Sequence, residues 1–133
     1  MLLKDVSSAD SLIKPAGLGA RDSLRLEAGM PLYGHELDED TDPLSAGLGF
    51  AVALDKGDSD EREGRFIGQD ALVKIQSDGP ARRLVGLKLE GRRSPRQGMA
   101  VTVGSDAAGV VTSGCLSPTL NYPIAMAYLP ADL

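Results

Sequence analysis

Two arginines four residues apart, Arg21 and Arg25, are the side chains in this sequence best placed to hold an anion together. On a helix that spacing puts both on one face, where like charges oppose the helix by roughly a few tenths of a kcal/mol unless a carboxylate or other anion compensates. Something negative is therefore expected nearby, and Asp22, three before Arg25, and Glu27 are the local candidates. Gly17-Leu18-Gly19 invites a dinucleotide-loop reading, but Asp22 replaces the third glycine and Ile13-Lys14-Pro15 is not a strand leading into it, so that site is rejected. There is no phosphate loop of the G-x-x-x-x-G-K-[ST] kind. The acidic stretch Asp38 to Asp42 matches the first three acidic positions of a calcium loop, yet Pro43 stands at the obligatory glycine and Gly49 at the bidentate glutamate, which excludes that site too. It reads instead as a solvated turn, with Thr41 or Asp42 capping ahead of Pro43 at a first helical position.

His35 is the single histidine and Cys115 the single cysteine, so neither a nucleophile with its base nor a zinc site assembles without other ligands. A Cys115–His35 contact stays open at this level. The plainer readings are a small packed cysteine beside Gly114 and a histidine on a loop. Tyr33 either stacks on a ligand or covers core with its hydroxyl in water. Arginines 82, 83, 92, 93 and 96 make the later part of the chain basic, and the turn Gly91-Arg92-Arg93-Ser94-Pro95 reads as a solvated end.

The elements that must position these groups fall into two runs. Residues 1–14 read as a short amphipathic piece ended by Pro15. A helix is expected over 18–28, stopped by Gly29 with Pro31 just beyond. Gly47 to Leu54 reads as a mostly buried strand, followed by an acidic loop from Asp55 to Gly64. A second helix is expected over 68–77, with Ala71, Leu72 and Ile75 on one side and Gly79-Pro80 closing it. From there the period changes to two. Leu84–Leu89, Met99–Val103, Gly109–Ser113 and Ile124–Tyr128 are four strand candidates spaced as in a small barrel or sandwich. The fold class expected is α+β: a helical and strand module over 1–80 followed by a partial antiparallel β-barrel over 81–133.

Composition narrows the function classes. The 133 residues are 42% hydrophobic, enough for one domain with a core or two small modules sharing an interface. Net charge is −5, with eight basic and sixteen acidic residues in 1–80 and six and three in 81–133, so the parts carry −8 and +3. That asymmetry fits two modules that attract one another. With no tryptophan and 4% aromatics, the chain lacks the dense basic face and stacking rings of a nucleic-acid binder. Its longest apolar stretches fall far short of the roughly 20 residues of a membrane helix. One cysteine excludes an internal disulfide framework, and the start Met1-Leu2-Leu3-Lys4-Asp5-Val6 does not read as a secretory signal. A cytoplasmic setting is expected, or the mitochondrial matrix in a eukaryote.

Four separated blocks carry a family resemblance. The run from Gly17-Leu18-Gly19-Ala20-Arg21-Asp22 through Tyr33-Gly34-His35-Glu36-Leu37, continued by Thr41-Asp42-Pro43-Leu44, resembles the aminomethyltransferase (T-protein) of the glycine cleavage system. The same holds for Phe66-Ile67-Gly68-Gln69-Asp70-Ala71-Leu72, for Arg83-Leu84-Val85-Gly86-Leu87 and for Thr112-Ser113-Gly114-Cys115-Leu116-Ser117-Pro118-Thr119-Leu120. The resemblance implies a fragment, with 1–80 closing the folate-binding region and 81–133 a truncated barrel domain. It implies transfer of a one-carbon unit from the aminomethylated lipoyl arm of the H-protein to tetrahydrofolate, a co-substrate, with release of ammonia in glycine catabolism and no metal.

Arg21 occupies the place of the family's folate-contacting arginine, and a guanidinium suits carboxylates of the folate tail or a flat pterin. Arg25 then braces the fold. The resemblance puts the catalytic aspartate in a preceding portion, so no carboxylate here is assigned to it and the fragment alone is expected to be inactive. Partners implied are the lipoylated H-protein and tetrahydrofolate, with neither nucleic acid nor membrane, and an incomplete sheet is expected to self-associate through its open edge. The alternatives are a folate-dependent demethylase or dehydrogenase C-terminal domain, and a noncatalytic protein-interaction module.

Overall fold

The computed structural model describes residues 14–57 and 64–133. Helix α1 runs Leu18–Glu27, helix α2 Gln69–Asp78, and strands β1 to β4 run Arg82–Lys88, Ala100–Val103, Asp106–Leu116 and Pro123–Pro130. The expected piece at the start and most of the acidic loop lie outside the described residues.

The end of α1 follows from its sequence. Gly29 takes a positive φ of 69°, the Gly29 N–H donates to Leu26 O at 3.1 Å, and the Met30 N–H donates to Arg25 O at 2.8 Å, so the last carbonyls are closed by the turn that only glycine enters cheaply. The chain then loops through 32–37, where the backbone N–H groups of His35, Glu36 and Leu37 all reach Leu32 O.

The expectation of a buried strand over 47–54 is corrected. Gly47 takes φ 74° and turns the chain back, Gly49–Ala51 forms a single 3-10 turn, and Phe50 is 88% exposed. An apolar run of that length cannot distinguish a strand from a turn packed on its neighbours. Asp42 does cap as expected, its Oδ1 accepting the Leu44 and Ser45 N–H groups at 3.0 and 2.8 Å, though the element it caps is one turn over 43–47 rather than a helix.

The four strands form one antiparallel sheet in the order β1-β4-β3-β2, an α+β partial barrel that is not closed among the described residues. β4 is central, and Ala125, Met126 and Ala127 in it are buried with Val111 of β3, Leu26 of α1 and Ala46 of the 43–47 turn. The outer side of β1 is partly covered, since the Leu84 N–H donates to Ser45 O at 2.9 Å. β3 carries a bulge: Val111 pairs with Ala127 and Ser113 with Met126, leaving Thr112 without a register partner. Helix α2 is tied to the chain before it through Gln69, whose Nε2 donates to Leu54 O and Lys56 O, each at 2.8 Å.

Candidate functional site

Residues 14–57 meet the sheet around one buried ion pair. Arg25, on the sheet-facing side of α1, is 8% exposed, and Glu36, from the 32–37 loop, is 1% exposed. Arg25 Nη1 lies 2.6 Å from Glu36 Oε2, Nη2 donates to Ser113 Oγ at 2.6 Å, and Nε donates to Asp22 Oδ1 at 2.8 Å. Glu36 also accepts the Leu32 N–H at 2.9 Å and the Thr112 hydroxyl at 2.8 Å. A buried ion pair survives only where hydrogen bonds satisfy its remaining atoms, and here they do. Burial pushes the Glu36 carboxyl up, but the hydrogen bonds from Ser113, Thr112 and the Leu32 N–H, with the Arg25 charge, outweigh it and hold the group below its ordinary value of 4.5.

The bulge makes this possible. In an even ladder neighbouring residues face opposite sides of a sheet, yet the extra residue lets both Thr112 and Ser113 reach the same ion pair. Other contacts across this junction follow the same chemistry. The Tyr128 hydroxyl donates to Glu36 O at 2.9 Å, and Arg82 lies over the Tyr128 ring while donating to Thr41 Oγ1 at 3.0 Å. Glu27 accepts from the Ser117 hydroxyl and, at 3.1 and 2.9 Å, from the Thr119 N–H and hydroxyl, which lower its pKa. The charge asymmetry is therefore not expressed as ion pairs across the junction: among the described residues all three ion pairs lie before residue 80, and acids on one side receive neutral donors from the other.

Arg21 stands one turn before Arg25, exposed, and lines an open groove of about 940 Å³ with Leu18, Leu24, Met30, Pro31 and Leu32. No ion pair involving it occurs among the described residues. Of the two arginines, Arg25 is thus engaged by Asp22, as the local reading expects, and by Glu36, which that reading misses. Glu27 serves the 117–119 turn rather than an arginine. The groove wall is mostly apolar, and among the described residues Arg21 is its cation without an ion-pair partner.

His35 and Cys115 do not pair. His35 Nδ1 lies 3.1 Å from Thr112 O, and because a carbonyl only accepts, Nδ1 carries the hydrogen. Cys115 is half-buried, its thiol pKa raised by burial first and then by the Asp22 charge. Tyr33 is exposed. Glu36, Thr112 and Ser113 were not singled out from sequence. Glu36 is 11 residues from Arg25, but the hydroxyls that complete the pair are 76 residues from Glu36 and 88 from Arg25, and their adjacency in a strand of small residues is the local trace.

Fold and site together define an α+β partial barrel braced by a buried Arg–Glu pair, with a helix presenting an arginine to an apolar groove. Comparison with known proteins places it more narrowly. The family model described as the GCVT N-terminal domain matches residues 4–56, and that of the glycine cleavage T-protein C-terminal barrel domain matches 82–133. An aminomethyltransferase of Synechococcus elongatus is 54% identical over 121 residues, covering 91% of this chain and 31% of the relative. One of Rubrobacter xylanophilus is 56% identical over 118 residues, covering 89% and 30%. The crystal structure of glycine cleavage system aminomethyltransferase T from Bartonella henselae superposes with a TM-score of 0.81 at 40% identity, covering 93% of this chain and 34% of that one. The chain belongs to the glycine cleavage T-protein family. It spans about a third of the length of the relatives it matches.

Proposed function

We propose that this chain is a working part of an aminomethyltransferase, the enzyme that passes the one-carbon unit of an aminomethyl-lipoyl arm on the H-protein to tetrahydrofolate. In that reaction the carbon leaves sulfur and nitrogen to bridge N5 and N10 of the folate, whose two hydrogens depart with the ammonia and the lipoyl thiol. The observation that carries the reading is Arg21, free of ion pairs among the described residues and facing an apolar groove, in the Gly-Leu-Gly-Ala-Arg-Asp block. Its role is to pair with the folate's carboxylate or pterin, and it orients rather than reacts. Naming of the curated relatives as aminomethyltransferases favours this over a folate-dependent demethylase, and their bacterial origins support a cytoplasmic setting. No helix among the described residues is long and apolar enough to cross a membrane.

The test is calorimetric titration with tetrahydrofolate of the S. elongatus relative in which this chain replaces the matching 121 residues. Loss of a charge-assisted contact of about 1.5–3 kcal/mol corresponds to affinity about ten- to a hundredfold weaker in Arg21→Ala. Unchanged affinity would remove Arg21 from the site, and a noncatalytic module would show no folate binding in either protein.

A further inference from the structure

We infer that Arg25 is the positioning residue of the groove: its buried fork, gripped by Glu36 and Ser113, fixes the roll of α1 and so the place of Arg21. This rests on the reading of Arg21 as the ligand's partner and adds to it a second arginine, also on the groove wall, whose guanidinium is taken up by Asp22, Glu36 and Ser113.

The argument starts from how α1 is held. Its start has no side-chain cap, and Leu18 and Leu24 are exposed. The helix is fastened at its far end, by Arg25, by buried Leu26 and by Glu27 on the 117–119 turn. Leu26 is an apolar contact and tolerates sliding. Glu27 sits at the last residue and grips an exposed turn. Arg25 carries a buried planar group whose hydrogen bonds reach Asp22, Met30 O, Glu36 and Ser113, and the last two belong to the loop and to β3.

Arg21 lies four residues away, about 6 Å along the axis and within 40° of the same face. A guanidinium standing about 6 Å from the axis moves about 1 Å for a roll of about 10°, and misplacement of that size degrades an aligned site. The bulge at Thr112 completes the grip, because it delivers two adjacent hydroxyls to one pair. Arg25 and Glu36 thereby connect the groove side of α1 to the middle of the sheet.

The alternative is a brace that matters for stability alone. The two roles separate in the double variant Arg25→Met/Glu36→Leu, since replacing both members of a buried pair with apolar side chains is often neutral for stability. Thr112 keeps its second acceptor, Met126 O at 3.1 Å. We would measure tetrahydrofolate affinity in the same chimera, with thermal unfolding and hydrogen exchange of the α1 amides.

The expected result is a folded double variant with faster exchange in α1 and affinity at least about tenfold weaker. A folded double variant binding within about twofold of the parent would overturn the inference. Should the double variant fail to fold, Ser113→Ala decides, because it removes one arm of the grip and leaves the ion pair. Severalfold weaker binding supports the inference, and parental binding ends it. Arg21→Ala in parallel distinguishes the two failures: if it binds like the parent, the ligand assignment is wrong, whereas if it loses binding while the Arg25 and Ser113 variants do not, only the positioning role is.

Discussion

Replacing Glu36 with glutamine keeps the shape of the side chain and removes the charge that Arg25 faces. The amide can still accept one hydrogen bond from Leu32 or Thr112, but its NH2 is turned toward a guanidinium that can only donate. Breaking a buried ion pair by changing one partner costs about 3–5 kcal/mol. Arg25 retains Asp22, whose side chain is 47% exposed and so compensates weakly, and it retains Ser113 and the Met30 carbonyl at 3.3 Å. The expected loss for Glu36→Gln is therefore at the lower end, about 3 kcal/mol, or about 10 °C in unfolding midpoint for a domain of this size. The assay is urea unfolding followed by far-UV circular dichroism at pH 7, repeated at falling pH. The sign is fixed by the depressed carboxyl. As pH falls below 4.5 the unfolded chain takes up this proton before the folded one, so the stability Glu36 contributes is fully present above that value and is lost as pH drops through the lower, folded-state pKa. Parent and variant should converge in that window. A loss below about 1 kcal/mol at pH 7 would refute the reasoning, since it would make this pair behave like a solvent-screened one.

Two further outcomes follow from the geometry. A Cβ at Gly109 would collide with the Tyr128 carbonyl oxygen and lie 2.6 Å from Leu129 Cδ2, so Gly109→Ala should lose about 1–3 kcal/mol by forcing β3 from β4; an unchanged urea midpoint would count against the close approach. Cys115, with its thiol pKa raised, should react with iodoacetamide at pH 7.5 more slowly than a cysteine in an unstructured peptide, and equal rates would contradict its packed setting.

Much of the chain was readable where the physics is local. Gly29 followed by Pro31 marked the end of α1 within a residue, and Gly68 and Gly79 bracketed α2. The period of two between turn residues located all four strands, although β3, at 11 residues, extends beyond the expected 109–113 at both ends. The stretch 47–54 misled because hydrophobicity reports burial tendency and not the dihedral at Gly47, which turns the chain. At the site, Asp22 as a partner of Arg25 is legible in the i, i+3 spacing, and the bracing role of Arg25 follows from the family resemblance. Glu36 is not legible, because its partners Thr112 and Ser113 come into reach only once the sheet has formed and β3 has bulged.

The extra residue at Thr112 has a consequence for how this strand can vary. Before it, the even-numbered positions of β3 face one way; beyond it the parity is exchanged. Deleting Thr112 would smooth the ladder and leave Ser113 to Leu116 opposite their present partners in β4, so Ser113 would keep its place beside Arg25 while Glu36 lost the Thr112 hydroxyl. The strand therefore tolerates conservative substitutions more readily than changes of length. In a chain where the grip on α1 passes through two consecutive hydroxyls, the count of residues between Val111 and Gly114 is itself a specification of the site.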